Sequence, residues 1–217
     1  MKKSILILGT LFLCVTVMAQ NQKVKLGVKA GLNISTLTFD ESELNSSNKL
    51  GFTAGAMAEI PLTKKFSVQP ELLFSQQGTK TSFSDPDVTN SVYKGTIELN
   101  YLNIPVMLKY YLVEGLSLQA GPQIGILLKA KNKYQDNFLG YENHESLDLK
   151  KYSSGIDTSV NLGLGYQFKD KFYTDLRYTI SYSNIFKEGD PNHFINNDMK
   201  NRVFQITVGY FFSKGQH

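Results

Sequence analysis

The chain has 217 residues, 41% of them hydrophobic, a mean hydropathy of −0.21 and a net charge of +4. That length suits one or two ordinary domains, and so small and scattered a charge leaves no footprint of nucleic-acid binding. Beyond an N-terminal stretch, no apolar run reaches the ~20 residues of a membrane helix. These averages still allow a membrane β-barrel, in which only alternate residues meet lipid, and the 12 Tyr and 14 Phe suit its interfacial girdles.

Residues 1–19 read as a cleaved secretory signal. Lys2 and Lys3 form its charged start, residues 5–18 its apolar segment, and Val17-Met18-Ala19 the cleavage site that leaves Gln20 as the new N-terminus. Cys14, the sole cysteine, departs with it; Leu13 before it is not the small residue of a lipoprotein signal. The mature chain then offers no thiol for a disulfide, a metal or a nucleophile.

In chain order, residues 24–35 place Val24, Leu26, Val28, Ala30, Leu32 and Ile34 on one face and Lys25, Gly27, Lys29, Gly31, Asn33 and Ser35 on the other. This period of two marks a strand with one apolar face. A polar loop over 36–49 leads to a second strand over 50–60, and a short turn at 61–65 to a third over 66–78. In the third, Phe66, Val68, Leu72 and Phe74 point outward and Gln69, Glu71, Ser75 and Gln77 inward. Residues 79–95, with Asp85-Pro86-Asp87, form a long loop. The fourth strand spans about 96–112 on the phase of Leu102, Ile104, Val106, Leu108 and Tyr110. Ile97, Leu99 and Tyr101 have the opposite parity, which predicts a bulge near Tyr101. After Glu114-Gly115 comes a fifth strand over 116–129, then the longest loop, 130–152.

Residues 156–182 carry the clearest signal. Ile156, Val160, Leu162, Leu164, Tyr166 and Phe168 alternate with small polar residues and glycine, and past Lys169-Asp170-Lys171 the phase resumes through Phe172, Leu176, Tyr178, Ile180 and Tyr182. This is a hairpin, strands six and seven. A loop over 184–201 precedes the eighth strand, 202–212.

Long and short connections thus alternate, as in an outer-membrane barrel with short periplasmic turns. Beside the short turns lie Phe66, Tyr110, Tyr166, Phe168, Phe172, Tyr210 and Phe212, a periplasmic aromatic girdle. Phe52, Phe74, Tyr182 and Phe204 lie eight to ten residues away, about 20–25 Å along tilted strands and close to the ~25 Å belt of such barrels. A soluble lipocalin-like barrel would put the apolar face inside. The polar face, rich in Gly, Ser, Asn, Thr and Gln but poor in Lys and Glu, suits a crowded lumen better than a solvated surface. The expected fold is all-β: an eight-stranded antiparallel up-and-down transmembrane β-barrel, one domain over 20–217, monomeric, in the outer membrane.

Several segments carry a family resemblance. Val28-Lys29-Ala30-Gly31-Leu32-Asn33, Gln69-Pro70-Glu71-Leu72-Leu73-Phe74-Ser75, Tyr101-Leu102-Asn103-Ile104-Pro105-Val106-Met107-Leu108-Lys109-Tyr110, Ala120-Gly121-Pro122 and Leu176-Arg177-Tyr178, in this order, resemble the PorT-like outer-membrane β-barrel family of Bacteroidota. The resemblance spans essentially the whole mature chain. It implies an eight-stranded outer-membrane barrel and no assigned activity.

Glu71, Asp175 and Arg177 are the best inward charged set, with Gln69, Gln119 and Gln123 at similar height. In a low-dielectric lumen they must pair, so a structural polar network that plugs the barrel is expected. His144 and His193 fall in outer loops and His217 at the tail; His193 with Ser183 or Asp190 is a set of the kind an interfacial hydrolase or acyltransferase needs. No catalytic, metal or cofactor site is expected. No loop has EF-hand spacing, although acids are frequent in them. Expected partners are outer-membrane lipid and, during biogenesis, the barrel-assembly machinery, which would read the aromatic-ending last strand; no nucleic acid is expected, and no specific ligand is indicated. The function expected is a structural or surface-interaction role through the long outer loops. The alternatives are an accessory component of envelope transport or protein secretion, and a lipid-modifying enzyme.

Overall fold

The computed structural model describes residues 24–38, 45–84, 92–138, 141–169, 171–186 and 199–212. The signal segment, Cys14 and the tail lie outside them. Among the described residues the strands are β1 (Lys25–Thr38), β2 (Asn45–Pro61), β3 (Phe66–Ser84), β4 (Val92–Tyr111), β5 (Leu116–Phe138), β6 (Tyr141–Asp148), β7 (Ile156–Phe168), β8 (Phe172–Ser181) and β9 (Lys200–Phe211).

Each strand pairs antiparallel with its neighbours, and β1 pairs with β9 from Gly27↔Phe211 to Thr38↔Lys200, which closes the sheet. The closed barrel has eight strands, because β6 pairs only with the outer part of β5, while β7 takes the inner part from Leu116↔Tyr166 to Ile126↔Ile156. Closure leaves no unpaired edge around the barrel itself, which a sheet in hydrocarbon requires. The short turns at 62–65 and 112–115 and the junction of β7 with β8 all lie at one end, together with the start of β1 and the end of β9. In barrels of this kind that end is periplasmic. Lys169 is held at φ 45°, and Gly115 at φ 82°, inside two of these turns.

The alternation resolves as lipid-side out. Leu32 (62% exposed), Leu164 (47%) and Val208 (65%) stand on the outer surface, whereas Arg177 and Asn161 are buried in the lumen. An apolar surface that runs round the whole molecule far exceeds the few hundred Å² a soluble monomer exposes. Inside, small residues make room: a Cβ on Gly165 would run into the Gln119 amide and the Tyr173 hydroxyl.

Three of the expected outer loops need correction. Residues 130–152 are not all loop: β5 continues to Phe138, and β6 pairs back along it over Tyr141–Asp148. Residues 79–84 and 92–95 likewise extend β3 and β4, and 45–48 extend β2. Five strands therefore rise past the apolar belt as a sheet. The period of two fades there because no bilayer demands an apolar face, yet backbone pairing continues. Thr36–Thr38 also lengthen β1.

The register does shift between Asn100 and Tyr101, but the bulge is on the neighbouring strand and not in β4. The extra residue is Leu128 on β5, since Asn100 pairs Lys129 and Tyr101 pairs Leu127. It does not turn the odd residues of β4 outward. Ile97, Leu99 and Tyr101 face the lumen and are buried.

Candidate functional site

The lumen is filled in tiers. The lowest is ionic. Arg177 on β8 donates through Nη1 and Nη2 to the two carboxylate oxygens of Glu71 on β3, at 3.0 and 2.9 Å. Lys29 on β1 bridges Glu71 (3.1 Å) and Asp175 on β8 (2.9 Å). Arg177 also approaches Asp175 at 3.5 Å. Gln69 donates to Glu71 at 2.7 Å and accepts from Lys109 at 3.0 Å; Lys109 in turn pairs with Glu59 at 2.6 Å. Tyr111 donates to the other oxygen of Glu59, at 2.6 Å. Gln119 donates to the Tyr173 hydroxyl at 2.6 Å and accepts weakly from Arg177 at 3.4 Å.

Three cations thus meet three carboxylates, all essentially inaccessible to water. A neutral, mutually bonded set is the form in which buried charge is tolerable; removing one member strands the others. Lys109 also sits 4.5 Å from the centre of the Tyr173 ring, a cation–π contact in a desolvated place. Tyr173 packs with Met57 and Phe211 to floor this tier.

Of the residues expected here, Glu71, Asp175, Arg177, Gln69 and Gln119 come together. Gln123 does not join them; it bonds Ser159 (3.2 Å) and Asn161 (3.3 Å) one tier higher. Sequence reasoning missed Lys29, Glu59, Lys109, Tyr111 and Tyr173. Strand parity held the signal, since Lys29 shares a face with Asn33 and Lys109 shares one with Asn103.

The charged residues buried in the middle tier are Asp157 and Lys49, which lies opposite Ser35. Asn161 accepts from Thr179 at 2.6 Å, Asn33 donates to Ser75 at 2.9 Å, and Asp157 accepts from Ser181 (2.7 Å) and Ser183 (2.6 Å). Asn201 reaches across to Gln77. The uppermost tier is apolar. Leu37, Ile97, Leu99, Tyr101 and Leu127 from the strands meet Leu149, Ile185, Phe186 and Met199 from the outer connections. A bridge between Ser153 and Phe186, and the bonds from Ser154 N to Ile185 O (2.7 Å) and Ile185 N to Met199 O (2.9 Å), hold these connections over the mouth. The described residues therefore seal the lumen with an apolar cap above and an ionic plug below.

On the outside, the girdle residues pair as rings: Phe66 with Tyr110 at 5.0 Å, Tyr166 with Phe168 at 4.3 Å, Phe172 with Tyr210 at 5.4 Å and Tyr210 with Phe212 at 5.9 Å. At the other rim, Phe52 packs on Phe74 at 5.5 Å. His193 and Asp190 lie outside the described residues, and Ser183 is engaged with Asp157 and the Thr158 amide. Among the described residues no cluster of His, Cys, Asp or Glu could hold a metal ion.

Residues 18–187 match the family described as outer membrane protein beta-barrel domain. Among solved structures, the chain is similar to Ail, the attachment invasion locus protein of Yersinia pestis (TM-score 0.49, 15% identity, 88% of this chain and 99% of that one). It is also similar to Neisserial surface protein A (0.43, 11%, 88% and 100%) and to OprG from Pseudomonas aeruginosa (0.42, 12%, 89% and 98%). No curated protein matches.

Proposed function

The chain belongs to the outer membrane protein beta-barrel domain family, and from that premise we propose that this outer-membrane barrel is a rigid, closed anchor whose task is contact at the cell surface. The observation that carries the reading is the sheet formed by the outer parts of β2 to β6, which rises past the apolar belt on a barrel sealed inside. Strand pairing continues there from Thr79↔Ile97 to Ser84↔Val92 and from Lys131↔Asp148 to Phe138↔Tyr141. A sealed lumen gives a transport role little to act through. A paired sheet in place of slack loops offers a preorganised surface, for which ordering has been completed before any partner arrives.

The PorT-like resemblance favours an envelope protein of Bacteroidota, and the Lys2-Lys3 start with Val17-Met18-Ala19 favours cleavage after Ala19 during export. The reading needs no enzymatic step. Its test is a chain in which residues 79–95 and 131–147 are each replaced by a two-residue turn. The barrel should still show heat-modifiable mobility on gels, while binding of expressing cells to host-matrix or neighbouring-cell surfaces falls to the level of cells lacking the protein. Unchanged binding with a folded barrel would overturn the surface role.

A further inference from the structure

The paired sheet above the belt ends in an edge. β6 bonds β5 on one side, from Lys131↔Asp148 to Phe138↔Tyr141, and among the described residues no strand pairs with its other side. The register fixes which backbone groups that edge presents. Leu149 N donates to Ala130 O at 3.0 Å, in step with the ladder, so by antiparallel alternation Leu147, Glu145, Asn143 and Tyr141 bond β5. The N–H and C=O groups of Glu142, His144, Ser146 and Asp148 point the other way, along the whole strand.

Exposed edges are ordinarily blunted by lysine, proline or a bulge, because an open row of backbone groups is a template for another chain. β6 carries none of these, and its register with β5 does not shift. The opposite edge of the outer sheet, at residues 45–48 of β2, is much shorter. What β6 carries instead is charge of one sign: Glu142, Glu145 and Asp148, with no lysine or arginine. Two copies joined along this edge would set those acids against one another, and like charges across a strand pair destabilise it. Charge therefore disfavours a second copy and favours a strand of opposite sign. Leu147, 51% exposed, offers an apolar contact beside the edge that an added strand would cover.

We propose that β6 captures an extended, cationic segment of a partner protein by strand addition, the segment becoming the next strand of the outer sheet. Backbone bonds to Glu142, His144, Ser146 and Asp148 supply the affinity, and the acids select the sign of the partner's side chains. Because β5 and β6 are paired before the segment arrives, ordering falls on the incoming chain alone. The inference rests on the surface role proposed above and gives that role a partner of stated chemistry.

The test uses the full mature barrel in maltoside micelles and a capped peptide alternating lysine and valine, with a glutamate-for-lysine peptide as its counterpart. Binding isotherms are measured beside backbone amide exchange, read by NMR. In the barrel alone the amides of His144 and Ser146 should exchange fast; with the lysine peptide they should become protected. Ser146→Pro deletes an outward N–H and leaves the bonds to β5 in place, since proline is tolerated at such edge positions. Continued protection of the Asn132 and Tyr134 amides shows that the hairpin persists. This variant should bind the lysine peptide about tenfold more weakly or worse. Glu142→Lys/Glu145→Lys, which leaves the backbone alone, should lose the lysine peptide and gain the glutamate one. Protection of His144 and Ser146 before any peptide is added means that this chain already fills the edge, and overturns the proposal. So does a lysine peptide that fails to bind, or binding indifferent to Ser146→Pro or to peptide charge. If Ser146→Pro cells adhere as the parent does while the turn-replaced chain does not, strand addition falls and the surface role stands.

Discussion

Glu71 is the residue on which the lumen turns. It accepts two bonds from Arg177, one from Lys29 and one from Gln69, and it has no access to water. Arg177→Ala removes one of three cations and leaves Glu71 and Asp175 short of compensation. The expected loss is roughly 3–5 kcal/mol, the usual cost of breaking a buried pair. It is read as a fall in the temperature at which the compact gel band disappears. Arg177→Lys should fall between, because a lysine cannot bond both carboxylate oxygens in the guanidinium's planar manner; a band as heat-stable as the parent's would contradict the plug. A steric prediction stands beside the electrostatic one. Gly165→Val drives a side chain into Gln119 and Tyr173, an overpacking worth about 1–3 kcal/mol, whereas Gly155→Val, with nothing within 4 Å, should melt unchanged.

At the scale of the element, the outer ends of the strands separate what was legible from what was not. Inside the belt, one face must meet lipid and the other a narrow lumen, so Leu162 and Asn161, or Ile206 and Gln205, sort themselves by parity alone. Above the belt both faces of β5 are polar, as in Lys131, Asn132 and Lys133, and nothing in the residues distinguishes a paired strand from a loop. The parity break at Ile97, Leu99 and Tyr101 was legible, but it marks no bulge in β4; the extra residue is Leu128 on β5. Those residues keep their inward phase because an apolar cap waits for them, built from Leu149, Ile185, Phe186 and Met199 that arrive from distant connections. A lumen lined by polar residues below gives no hint of such a partner. The cap makes a comparison possible between two leucines. Leu99→Ala, fully buried in the cap, should cost about 2–5 kcal/mol in urea unfolding from lipid vesicles. Leu164→Ala, where lipid tails fill the space left behind, should cost distinctly less. Equal costs would mean that the cap is not packed.

For the whole molecule, the central claim is the sense in which the barrel is turned: large apolar side chains against bilayer, a sealed polar and ionic interior, and a paired sheet standing above. The chain contains no tryptophan, so a single introduced indole reports alone. Leu164 faces outward within the apolar belt, between Leu118 and Leu176. In vesicles of acyl-brominated phosphatidylcholine, Leu164→Trp should emit at short wavelength, be strongly quenched by the bromines and ignore aqueous iodide, while Lys151→Trp, on the outer connection, should respond to iodide alone. An indole at 164 that iodide quenches and brominated lipid does not would place the apolar face away from the membrane and contradict the account.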